Sequence, residues 1–198
     1  MKKFYSLILL LGVLVCASNL NAQNMSDMRL NEVLVTNTEG FEDDYGYRSG
    51  WIELFNTSYG TVDIAGCYLS TDPENLKMYM IPKGDVLTKV QPRQHILFWA
   101  DNQPFRGTFH VNFTLAESDT IYFVASDGRT ILDKIFVPKD LEENKSYGRS
   151  TDGIGEWEYR EWTSPSTNNS GANQESKSVI MKKTDPHGVV ITIVAMSV

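Results

Sequence analysis

An all-β sandwich is what this sequence predicts, and three observations predict it. Segments of β type recur between Met28 and Trp162 at spacings of about 8 to 15 residues. The stretches joining them are rich in Gly, Pro, Asn and Asp, which end helices and strands alike. No window holds the sustained 3.6-residue apolar period of an amphipathic helix. Composition agrees: 41% of the 198 residues are hydrophobic and 11% aromatic, an ordinary supply for one packed core. Gly and Pro number 14 and 7 without a repeat, which excludes a collagen-like fibre, and the aromatics exclude a wholly disordered chain.

In chain order the clearest segments are Leu30 to Thr36, Trp51 to Asn56, Val62 to Ser70, His95 to Ala100, Thr120 to Ala125, Thr130 to Val137 and Glu156 to Glu161. Turn chemistry separates them at Thr38-Glu39-Gly40, Tyr59-Gly60, Asp72-Pro73-Glu74-Asn75, Pro82-Lys83-Gly84 and Asp101-Asn102-Gln103-Pro104. Ser126-Asp127-Gly128, between two strand-like runs, predicts a hairpin, because Asp-Gly takes the positive-φ turn positions readily. Alternation assigns faces. Ile121, Phe123 and Ala125 share one, with Tyr122 and Val124 opposite. Trp51, Glu53 and Phe55 share another, opposite Ile52 and Leu54. Glu53 thus stands between two aromatics, either as a buried acid or, as isolated carboxylates more often are, on a half-exposed strand or paired with an Arg such as Arg149.

The ends point to export. Met1-Lys2-Lys3, an apolar run from Phe4 to Ala17 and the small residue Ala22 before Gln23 make a secretory signal peptide over residues 1–22. Cys16 would leave with it, and Val15 stands where a lipoprotein anchor wants a small residue. Cys67 then remains alone in an apolar setting, without an internal disulfide, as a buried and inert thiol. From Pro165 the composition turns to Ser, Thr, Asn, Gln and Lys, which reads as a polar linker over 170–186. The run from Gly188 to Val198 would make about 16 Å of helix, half a bilayer's hydrocarbon core. Two readings stand: a final strand, or the start of a transmembrane helix truncated at residue 198. The second is favoured, although Lys177, Lys182 and Lys183 sit on the side that the positive-inside tendency leaves poor in Lys.

Charge narrows the function. The formal charge is −7, and loss of Lys2 and Lys3 leaves 16 basic residues against 25 acidic. Gripping phosphate backbones needs the opposite balance, so nucleic acid is not an expected partner. Catalytic signals are missing as well. His95, His110 and His187 do not stand at metal-ligand spacing, and each reads as a structural histidine. The sequence contains neither a Gly-x-Ser-x-Gly elbow nor a phosphate loop, since Gly148 to Gly155 lacks the Lys-Ser/Thr ending. Glu39, Glu42, Asp43 and Asp44 crowd one loop, and Asp72 and Glu74 another, but without the Asp-x-Asp-x-Asp-Gly order of a calcium loop. No catalytic, cofactor-binding or metal residue is therefore expected.

Five motifs carry a resemblance. Leu30-Asn31-Glu32-Val33, Trp51-Ile52-Glu53-Leu54-Phe55-Asn56, Val62 to Ser70, Phe98-Trp99-Ala100-Asp101 and Ser146-Tyr147-Gly148-Arg149 stand in the order of bacterial lamin-tail domains. Trp157 and Ser164-Pro165-Ser166-Thr167-Asn168-Asn169 complete it, over about residues 27 to 169. The resemblance implies an immunoglobulin-like β-sandwich without chemistry of its own, a tethering or interaction module, in which the Trp51 to Leu54 motif is a signature of the fold. A second resemblance lies in the tail. Lys182 to Gly188 with the apolar run after it is similar to the start of the membrane helix in gamma subunits of sodium-pumping oxaloacetate decarboxylases. That family's cytoplasmic tail, which supports assembly with the biotin-dependent carboxyltransferase, has no counterpart here.

These readings lead to one expectation and its alternatives. The first is a non-catalytic periplasmic domain anchored in the inner membrane, with the carboxyltransferase and membrane subunits of a decarboxylase pump as partners. The alternative is a secreted adhesion or recognition module whose tail is a strand. A metal-dependent hydrolase sited on the acidic loops is the third. In a sandwich, the loops Thr38 to Ser49 and Asp101 to Gly107 are the natural contact sites.

Overall fold

The computed structural model describes residues 24–166, Asn169 and two further strands at 180–184 and 190–194. Nearly all regular structure is β. The strands are β1 (Met28–Leu34), β2 (Gly50–Asn56), β3 (Val62–Asp63), β4 (Tyr68–Ser70), β5 (Tyr79–Met80), β6 (Lys89–Val90), β7 (His95–Ala100), β8 (Thr120–Val124), β9 (Ile131–Phe136), β10 (Ser146–Arg149), β11 (Trp157–Arg160), β12 (Ile180–Thr184) and β13 (Val190–Val194). One antiparallel sheet runs β11-β10-β1-β2-β7 and a second runs β5-β4-β8-β9, with β3 and β6 as a separate pair.

The two sheets share one apolar core. Leu30, Val33, Ile52, Leu54, Phe98 and Ala100 from the first meet Leu69, Ile121 and Phe123 from the second, and Ile64, Val111 and Val137 from the connections join them. This is the sandwich that the alternating strands predict. The β8–β9 hairpin forms where Asp127-Gly128 places it: Gly128 takes φ 66°, and Asp127 accepts hydrogen bonds from the Arg129 and Thr130 amides.

Four sequence expectations change. The segment Val62 to Ser70 is two strands, because Gly66 at φ 80° turns the chain between Ile64 and Cys67. Val124 is buried together with Phe123, since the register slips between them and the alternation breaks. Ser146-Tyr147-Gly148-Arg149, quoted above only as a motif, is the strand β10 beside β1. The short β5 and β6 gave no periodic signal at two residues each. Residues 1–22, expected to be a signal peptide, lie outside the described residues.

The C-terminal expectations also meet a difference. Within the stretch read as a linker, Ile180–Thr184 is a strand, and it pairs in antiparallel register with Val190–Val194. The run read as the start of a membrane helix is thus a strand over its described part, in keeping with its β-branched Val, Ile and Thr. Among the described residues no helix is long and apolar enough to cross a membrane.

Cys67 is a buried free thiol, as expected, and burial followed by the charge of Asp63 pushes it up to about 11. In the native protein it should resist a thiol reagent at about pH 8 and react once urea unfolds the chain; fast native labelling would contradict this. Phe98 is wholly buried, so Phe98→Ala should cost about 3–5 kcal/mol in urea unfolding. Phe136→Ala, on a half-exposed edge strand, should cost about 1 kcal/mol or less.

Candidate functional site

Two polar constellations lie on the side of the five-stranded sheet that faces away from the core. The first begins with a bulge. The β1–β2 register slips between Leu30 and Glu32, so Leu30 keeps its place in the core while Asn31 and Glu32 both reach the outer network. There Glu32 lies opposite Glu53, and both are buried.

Donors from across the sequence converge on these two acids. Glu32 accepts from the Ser146 hydroxyl, and from the Ser164 amide and hydroxyl at 2.9 and 2.6 Å. Glu53 accepts from Asn31 Nδ2 at 2.9 Å and from the Ser166 amide. Asp152 accepts from Asn31 Nδ2 and the Asn169 amide, and His95 Nε2 stands 3.4 Å away. Arg160, also buried, donates to the Asn169 carbonyl. Ser164, Ser166 and Asn169 therefore mark a strap held down by the carboxylates of Glu32, Glu53 and Asp152.

Glu53 is neither half-exposed nor paired with Arg149. Arg149 binds Asp133 at 3.2 Å and the Leu30 carbonyl at 2.8 Å, with Trp157 under its guanidinium. The reason is tertiary: the strap covers the outer face of β2 and brings an amide to the acid. Burial, and then the nearby charges of Glu32 and Asp152, push the Glu53 carboxyl well above its usual range, against the pull of Asn31 and Ser166. Burial also acts to raise Asp152, but His95, the Asn169 amide and Asn31 outweigh it and hold that carboxyl low. The three acids of this set are buried and each accepts donors from distant parts of the chain, while His95 Nε2 and Arg160 Nε are buried without a hydrogen bond.

The second constellation joins two loops at the far end of the same face. In the first loop, Asn37 donates to the Phe41 and Ser49 carbonyls, and Asp43 Oδ1 accepts from the Tyr45 and Tyr47 amides. The second loop follows β7. Asp101 Oδ2 meets His110 Nδ1 at 2.9 Å and Arg106 Nη1 at 3.1 Å. Arg106 also lies 3.5 Å from Asp43 Oδ2, and its guanidinium covers the Tyr47 ring at 4.2 Å. Tyr45 donates its hydroxyl to the Arg106 carbonyl, and Phe41 stacks on Trp99. The loops named from sequence as contact sites are thus locked to one another.

Beside this lock opens a cleft of about 380 Å³ lined by Tyr45, Asp85, Leu87, Trp99, Arg106 and His110. Tyr45 in its wall is half-exposed, as are Phe41 and Tyr47 on the same loop, and Phe105 on the second loop is 82% exposed. Tyr, Trp and Arg are the residues that anchor interfaces. The acidic loop is divided among tasks: Glu42 pairs with Arg48, Asp43 turns inward and Asp44 lines the cleft.

Among the described residues, Asp43, Asp101 and His110 form the group whose donor atoms could hold a metal ion. Sequence reasoning weighed Asp43 only with its neighbours in the chain and His110 as structural. His110 is indeed buried with a carboxylate partner. The meeting of positions 43, 101 and 110 has no local signal. His187 lies outside the described residues.

No family model, curated protein or solved structure matches this chain.

Removing the Glu53 charge tests the buried pair. A carboxyl raised by folding favours the fold fully below its ordinary value, and that contribution is lost as pH rises through the raised one. Across about pH 4 to about pH 8, wild type should therefore lose urea stability relative to Glu53→Gln, which cannot ionise. Parallel curves for the two proteins would show that Glu53 titrates normally.

Proposed function

We propose that this chain is an exported, non-catalytic recognition module of the lamin-tail type, with an immunoglobulin-like sandwich that presents the aromatic cleft between its two locked loops to a protein partner. One observation carries the reading. Tyr45, Trp99 and Phe109 line a cleft beside Arg106, which ties Asp43 to Asp101, and the same two loops expose Phe41, Tyr47 and Phe105. Large aromatics on rigid loops bind with little loss of side-chain freedom, which is what an interaction site requires.

The lamin-tail resemblance gains support from where its motifs meet. Asn31, Glu32, Glu53, Ser146, Ser164 and Asn169 come from four separate motifs and share one hydrogen-bonded network. Such residues are signatures of a fold, and their carboxylates are engaged there. The strand over Val190–Val194 favours the recognition module over the membrane-anchored pump subunit.

Photo-cross-linking in the native cell tests the site and the partner together. A benzophenone amino acid at Tyr47 or Phe105 should give discrete adducts that the same probe at Tyr59 or Ile154 does not. Equal labelling from all four positions, or none from Tyr47 and Phe105, would remove the cleft as the site. Adducts with a biotin-carrying carboxyltransferase would instead place the chain in a decarboxylase pump. Recovery of the chain only from the cytoplasmic fraction would overturn export.

A further inference from the structure

We propose that Asp43, Asp101 and His110 bind one divalent transition-metal ion of the zinc class, with Arg106 as the cation that holds the site until the metal displaces it. Their donor atoms, two carboxylate oxygens and a ring nitrogen, lie within 4.8 Å of one another. The site is dry: the Asp43 side chain is wholly out of solvent, and those of Asp101 and His110 are 4% and 8% exposed.

An unmet demand points to the ligand. Asp43 Oδ1 takes two backbone amides, but Asp43 Oδ2 is buried and receives no hydrogen bond. A buried carboxylate oxygen left that way is costly. Arg106 answers it only in part. A single nitrogen, Nη1, is shared between Asp101 at 3.1 Å and Asp43 at 3.5 Å, longer than the ~2.7–2.9 Å of a strong charge-assisted bond. One fixed positive charge, that of Arg106, thus faces two carboxylates, where a divalent ion would supply two.

The donor set chooses among metals. Two carboxylates and an imidazole suit zinc, with a fourth position left to water or a partner's side chain. Calcium wants six to eight oxygens, and magnesium a near-octahedral set of them. His110 would offer the Nδ1 lone pair in the tautomer that keeps its proton on Nε2. Arg106 has a way out. It closes a three-residue turn before Gly107, at φ 146°, and its guanidinium already lies at the cleft over Tyr47. The metal would then pin the two loops that frame the cleft, whatever partner the cleft takes.

Calorimetry and thermal melting of the metal-stripped mature chain, titrated with zinc, calcium or magnesium chloride, test this. Zinc should bind at one per chain and raise the melting temperature, with calcium and magnesium at least tenfold weaker. Arg106→Met keeps the side-chain stem over Tyr47 and all three ligands, and should tighten zinc tenfold or more. His110→Gln and Asp101→Asn should each weaken it tenfold or more, while His187→Gln should change nothing. If Asp101→Asn fails to fold, the other two variants suffice. No saturable zinc binding by wild type and Arg106→Met, equal affinities for those two, or undiminished binding by His110→Gln would overturn the proposal.

Discussion

Two glutamates buried face to face make the demand that the rest of this fold answers. Glu32 and Glu53 are cross-strand neighbours in the middle of the five-stranded sheet, and neither meets water. Carboxylates in such a place are tolerated only where donors reach them. Ser146 comes from β10, Asn31 from the bulge, and Ser164 and Ser166 from the strap after β11. Even Gly148 is explained: a Cβ there would stand 2.9 Å from Arg160 Cδ and 3.0 Å from Glu32 Cγ. The bulge, the small residue and the strap are three consequences of one buried pair.

The same device recurs at the other end of the face. Asp43 organises its loop by accepting two amides, and Asp101 organises the next by accepting the Gln103 amide. Arg106 then ties the loops through both acids and both tyrosines. Loops built in this way are held by charge and ring contacts as well as by isolated backbone bridges such as Trp99 to His110. They can carry exposed aromatics without collapsing onto them, which suits a recognition surface.

Much of the scaffold was legible along the chain. His95 to Ala100 is a strand within its predicted bounds, and the other long runs are displaced by a residue or two, except Val62 to Ser70, which a turn divides. Those elements announce themselves because alternation and breakers act over a few residues. Short strands such as β5 carry no such period, and β10 hides behind a glycine and an arginine. Glu53 marks the limit of local reading. Alternation placed it correctly beside Trp51 and Phe55, yet whether that face met water or a strap was decided by Ser166, more than a hundred positions away.

What this sequence determined alone was the class of fold, the positions of most strands and turns, and the buried thiol at Cys67. Each follows from forces that act between near neighbours: pleat alternation, turn chemistry and the burial of apolar runs. Which faces are covered, which acids are neutralised and which loops meet was left to the tertiary structure. Asp43, Asp101 and His110 have nothing in common until the first loop and the edge of β7 pack together. The reason is physical: charge and hydrogen bonding act through space at a few ångströms, whatever separation in the chain lies between the partners.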